Sequence, residues 1–184
     1  MPPSFRRSLP IAGVAVIVCA ALSLAQAPVS AAPHVRPEST DLRELLDELT
    51  DRSATARGLV RALDDSDVLV YVRHRLFTES LLDGRTGLLR CDRPSRYVII
   101  ELAPARQHLD TLVTLGHELQ HAVEIAGAPH IVDAPSLAAH YARIGIRMTG
   151  APAQSFETDA ARHISARIRR ELLATTVRTT HDRH

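Results

Sequence analysis

The stretch Leu115-Gly116-His117-Glu118-Leu119-Gln120-His121-Ala122-Val123-Glu124 (LGHELQHAVE) decides how the rest of the chain is read. It lies in a segment from Gln107 to Ala126 whose apolar residues recur at helical spacing and which Gly127 and Pro129 bring to an end. On a helix, residues i and i+4 share a face, so His117 and His121 can aim both imidazoles at one ion. Glu118 stands beside the first of them, where a carboxylate can act as general base toward an attacking water. Zn2+ suits such a pair, because it takes nitrogen ligands in a tetrahedron and makes water acidic near neutral pH. Gly116 costs the helix roughly 1 kcal/mol relative to alanine, and a glycine there allows close backbone approach of a neighbouring element.

Outward from this segment the pattern is helices, a small sheet, then helices, an α+β arrangement. Asp41–Thr50 and Ala54–Leu63 read as helices, the first with Leu42, Leu45, Leu46 and Leu49 on one face. Asp67–Arg73 is β-branched and aromatic and reads as a strand. Thr86–Cys91 and Tyr97–Leu102 read as a hairpin turning through Asp92-Arg93-Pro94-Ser95. Downstream, a short helix is expected near Pro135–Ile144, capped by Asp133 or Ser136, and a last one over Phe156–Leu173 with Ser155 as N-cap.

Composition removes several function classes. Apolar residues are 45 % and charged residues 23 % of the 184, enough for a packed core. The formal net charge is only +1, so no excess of positive charge marks a nucleic-acid binder. Aromatics at 3 %, with no Trp, leave little to stack on bases.

The N-terminus has the parts of an export signal: Arg6 and Arg7, an apolar run from Ile11 to Ala25, and small residues at Val29-Ser30-Ala31. That run is shorter than the roughly 20 residues a spanning helix needs. The expectation is a signal peptide over 1–31, a linker over 32–40, one domain over 41–175 and a flexible tail over 176–184. The protein would then be exported, periplasmic or secreted, with no stable membrane span after cleavage. Cys91 would be its one remaining cysteine, without a disulfide, and reads as structural beside Asp92 and Pro94.

A catalytic zinc needs a third protein ligand. Glu124 and Gly127 stand where the HExxHxxGxxH pattern has its glycine and third histidine, so that pattern is absent. Glu124 shares the face of His117 and His121, but so close along one helix it suits holding a ligand histidine by its other nitrogen. Glu157 is the better third ligand. Read as helix, it heads a stripe with Ala161, Ile164, Ile168 and Leu172 that packs inward, and an ionised carboxylate there is costly unless paired or bound to metal. Asp159 falls instead with Arg162, His163, Ala166 and Arg170, a solvated face.

His117-Glu118-Leu119-Gln120-His121 followed by Glu157 resembles the gluzincin zinc metallopeptidases. The run Glu157-Thr158-Asp159-Ala160-Ala161 is similar to the E-x-x-A-D segment of one membrane-associated branch, with Ala161 where that branch has Asp. LGHELQHAVE with the later Phe156-Glu157-Thr158 and Ala160-Ala161 also resembles short exported bacterial proteins of unassigned function. The resemblance implies a zincin-like fold, with a small antiparallel or mixed sheet, an HExxH helix and a C-terminal helix carrying the third ligand. It implies a hydrolase that cleaves peptide bonds of a peptide or protein substrate. His117, His121 and Glu157 would bind zinc, with Glu118 as general base and Glu124 behind a histidine. An edge strand over the active helix would be Tyr97–Leu102. An oxyanion donor would come from Tyr141, His140, His130 or Arg147, among which the sequence does not choose. The chain is short for a peptidase, so a homo-oligomer or a partner protein could complete the cleft. The competing reading is a non-catalytic zinc-binding or interaction domain of the cell envelope.

Overall fold

A computed structural model describes residues 32–78, 82–104, 107–147 and 156–181, with side chains described as far as 175. The expected signal peptide, Ser155 and the last residues of the tail lie outside the described residues.

Among the described residues, a four-stranded sheet is built from β1 (Val35–Pro37), β2 (Val68–His74), β3 (Gly84–Asp92) and β4 (Ser95–Leu102) in the order β1-β2-β4-β3. β1 and β4 both run parallel to β2, while β3 and β4 form the expected antiparallel hairpin, so the sheet is mixed. The alternation of β2 and β4 places Val68, Val70, Val72, Val98, Ile100 and Leu102, all fully buried, on one face. Helices α1 (Thr40–Arg52), α2 (Ala54–Asp64) and α3 (His108–Ala126) cover that face with Leu42, Leu49, Leu63, Leu112, Leu115 and Leu119. Each such side chain taken out of water stabilises the fold by roughly 1.5–3 kcal/mol.

The remaining described elements are α4 (Ala134–Ile144), β5 (Ile146–Arg147), β6 (Phe156–Glu157) and α5 (Asp159–His181), with β5 and β6 paired antiparallel. Asp133 caps α4 and closes a capping box with Ser136. α5 packs on α3 along Ala161, Ile168 and Leu172, all fully buried, with Ile164 half-buried: the stripe read from the sequence does face inward.

Four expectations need correction. Residues 32–40 are not only linker: Val35–Pro37 joins the sheet, with Val35 buried. The edge strand beside α3 is β3, not Tyr97–Leu102, which lies between β2 and β3. The apolar run Tyr97-Val98-Ile99-Ile100 belongs to a strand flanked on both sides, and the polar, glycine-containing β3 suits an edge. The last helix starts at Asp159 rather than Phe156, because Phe156 and Glu157 are drawn into pairing with β5 and Thr158 takes the N-cap. It also continues to His181, into the expected tail. Cys91 lies within β3 opposite Arg96, inside the strand read from the sequence, as a free, half-buried thiol.

Candidate metal centre

α3 carries the two histidines one turn apart, and their Nε2 atoms face each other at 3.1 Å. Glu157, at the end of β6, brings Oε1 to 3.5 Å from His117 Nε2. One ligand atom from each of His117, His121 and Glu157 lies within 4.8 Å of the others, a group that could hold a metal ion. Ligands at 2.0–2.1 Å in a tetrahedron stand roughly 3.3 Å apart, so the 3.1 and 3.5 Å spacings about His117 Nε2 suit one small cation.

The hydrogen bonds behind the histidines assign their tautomers. Ser165 Oγ donates to Ala161 O at 2.9 Å, so its one proton is used. Toward His117 Nδ1, 2.9 Å away, it can only accept, which places that proton on Nδ1. His121 Nδ1 donates to Glu124 Oε2 at 2.8 Å. With both imidazoles neutral, the two Nε2 atoms are left with lone pairs that face each other, an arrangement that a cation between them, a metal ion or a proton, relieves. Glu124 thus bonds the nitrogen of His121 that does not face His117. It is held in turn by Thr158, whose hydroxyl donates to Oε1 at 2.7 Å.

Electrostatics follow from burial. Desolvation, with the neighbouring His121, pushes His117 down to about 4, favouring the neutral imidazole that ligates metal. Burial acts the same way on His121, but the Glu124 hydrogen bond and the surrounding carboxylates outweigh it and raise the group. Burial raises both Glu118 and Glu157. For Glu124, burial raises the carboxyl while the bonds from His121 and Thr158 lower it more.

Glu118 is buried beneath β3. Thr86 Oγ1 lies 2.7 Å from Glu118 Oε2 and 3.1 Å from the Glu118 carbonyl oxygen. A Cβ on Gly84 would stand 2.8 Å from Glu118 Oε1 and 2.7 Å from Thr114 Cγ2, so this position must lack one for the strand to lie so low. Gly116 plays the corresponding part toward α5: a Cβ there would meet Ile168 Cδ1 at 2.3 Å.

Of the four candidate oxyanion donors, Tyr141 is committed elsewhere. Its hydroxyl donates to His121 O at 3.1 Å and its ring packs edge-on to His121 at 5.5 Å. His140 Nδ1 lies 3.3 Å from His130 Nε2 and 3.1 Å from Arg143 Nη2. Arg147 lies in β5. His163 is exposed, as its place on the solvated face of the last helix implied, and so is His108; they are bound to the Asp159 carbonyl and to Glu48. The sequence reading missed Thr86, Thr158 and Ser165. Only Ser165 had a signal, since it falls four residues after Ala161 on the buried stripe.

No family model, curated protein or solved structure matches this chain.

Proposed function

We propose that the chain is an exported zinc-dependent peptidase of the gluzincin type. The observation that carries this reading is the pair of Nε2 atoms facing each other at 3.1 Å with Glu157 beside them. Two imidazoles and one carboxylate are the donor set of a catalytic zinc with a position left open. His117, His121 and Glu157 would hold the ion, which when bound supplies Lewis acidity toward water and a substrate carbonyl. Glu118 removes the proton of the attacking water and passes it to the leaving amine. Its burial raises its proton affinity above that of an ordinary carboxylate. Thr86 occupies one oxygen of Glu118, and Gly84 leaves the other uncovered by any side chain of its own. Among the described residues β3 pairs only with β4, so its outer edge offers backbone groups to an extended peptide. The Arg6, Arg7 and Ile11–Ala31 pattern supports export. No helix among the described residues is long and apolar enough to cross a membrane.

The test is metal analysis of the purified protein together with hydrolysis of an unstructured protein such as casein. The expected result is one zinc per chain and an activity that Glu118→Gln reduces by about 10²–10⁴-fold while zinc is retained. A folded, zinc-supplied protein without bound metal would sink the proposal. Bound zinc with no hydrolysis would favour the non-catalytic zinc-binding domain instead.

A further inference from the structure

We infer that Thr158, at the N-cap of α5, and Ser165, two turns into that helix, are positioning residues that orient both histidines for the metal. The inference rests on the metal-site reading above and extends it to residues that touch no ion. α5 reaches the imidazoles by two routes. Ser165 accepts the His117 Nδ1 proton directly at 2.9 Å. Thr158 donates to Glu124 Oε1 at 2.7 Å, and the other oxygen of that carboxylate takes the His121 Nδ1 proton at 2.8 Å.

Each hydroxyl is itself fixed by the helix backbone. Ser165 Oγ donates to Ala161 O at 2.9 Å, and Thr158 Oγ1 accepts from Ala161 N at 3.1 Å. Neither is therefore free to turn away or to exchange donor for acceptor. Thr158 directly follows Glu157, so one short segment delivers the carboxylate of the triad and braces the histidine opposite it.

The register of α5 does not depend on an ion. Six residues beyond Ser165, Glu171 accepts from Ser53 Oγ at 2.6 Å, Thr55 Oγ1 at 2.7 Å and Thr55 N at 3.1 Å, at the start of α2. Ile168 lies against Gly116 between the two ends. The hydroxyls are thus in place before metal arrives, and the two Nε2 lone pairs are turned inward ahead of binding. Partners of this kind are worth about 10–100-fold in metal affinity.

The experiment uses the metal-stripped protein and zinc alone. Zinc affinity is measured by competition with a chromophoric chelator, and histidine tautomers by long-range proton–nitrogen NMR of the metal-free state. Ser165→Ala suits a helix interior, so folding survives. It is expected to weaken zinc binding about 10–100-fold and to release His117 from the Nδ1–H tautomer. Ser165→Thr, which keeps the hydroxyl, should restore both. Thr158→Val should act on the affinity and on His121, with Thr158→Ser as its rescue. If wild-type protein binds zinc and both deletions leave affinity and tautomers unchanged, the inference is overturned. If wild-type protein binds no zinc, the metal-site reading fails first, and the tautomer shifts alone would then show only a structural hydrogen bond.

Discussion

Gly84 and Gly116 work as spaces, one beneath a strand and one beneath a helix. At Gly84 an added Cβ meets two groups, Thr114 Cγ2 at 2.7 Å and Glu118 Oε1 at 2.8 Å, and Glu118 is already held by Thr86. At Gly116 the obstacle is the far methyl of Ile168, which can turn, and alanine recovers roughly 1 kcal/mol of helix propensity. Gly84→Ala should therefore cost about 1–3 kcal/mol in urea unfolding and lower any hydrolysis by displacing Glu118. Gly116→Ala should cost less. A smaller loss at Gly84 than at Gly116 would mean that β3 does not bear on the base. Gly116 was legible as a close-approach glycine because it interrupts a helix. Gly84 was not legible in this way, since nothing local says that a strand will pass over Glu118.

At the scale of elements, α3 is held at its C-terminus by a side chain from the sheet. Arg96 of β4, almost fully buried, donates to the carbonyls of Ile125 at 2.7 Å, Ala126 at 3.0 Å and Ala128 at 2.9 Å. Its Nη2 also reaches Asp67 Oδ1 at 2.7 Å. A cation here satisfies the carbonyls that a helix end leaves open and complements the helix dipole. Arg96→Met should destabilise the protein by about 3–5 kcal/mol, measured by urea unfolding, with faster amide exchange at the end of α3. A loss under about 1 kcal/mol would place Arg96 with ordinary surface pairs. α5 shows how an element can be misplaced while its residues are read usefully. Glu157 was selected as the head of a helical stripe, yet it lies in β6 and reaches His117 through the β5–β6 pairing and the turn into Thr158. The stripe itself, Ala161, Ile168 and Leu172, is real and buried.

Over the whole molecule, the described carboxylates couple stability to pH. Glu101, 1 % exposed at the end of β4, takes guanidinium bonds from Arg73 at 2.6 Å, Arg75 at 3.0 Å and Arg85 Nε at 3.1 Å. Burial alone would raise this carboxyl, but the three arginines outweigh it and bring it down to about 2. A folded-state pKa below the unfolded value means that the stabilisation is complete above about pH 4.5. It is lost as pH falls from there toward 2. The contribution is on the order of 3 kcal/mol. Urea midpoints followed from pH 7 to pH 2 should show this loss in the wild type, and Glu101→Gln should lack that part of it. Glu48, Asp67 and Glu171 are lowered in the same direction by their hydrogen bonds, so acid should act on several elements together. Parallel profiles for wild type and Glu101→Gln would show that Glu101 is not the group responsible.

What the sequence determined by itself was whatever rests on local spacing. The shared face of His117 and His121 on α3, the inward stripe of α5 and the β3–β4 hairpin all follow from periods of a few residues, while the choice of Asp133 over Ser136 as cap waited for the structure. Even the choice of Glu157 over Glu124 came from asking which carboxylate a buried surface would need to satisfy. The tertiary structure alone decided the order of the strands, the use of Val35–Pro37 as a fourth strand, and the hydroxyls of Thr86, Thr158 and Ser165 behind the site. These depend on which segments, tens of residues apart, come to lie within 3 Å of one another. A threonine or serine carries no mark of its partner, because the energy of a hydrogen bond depends on geometry that forms only once the core has packed.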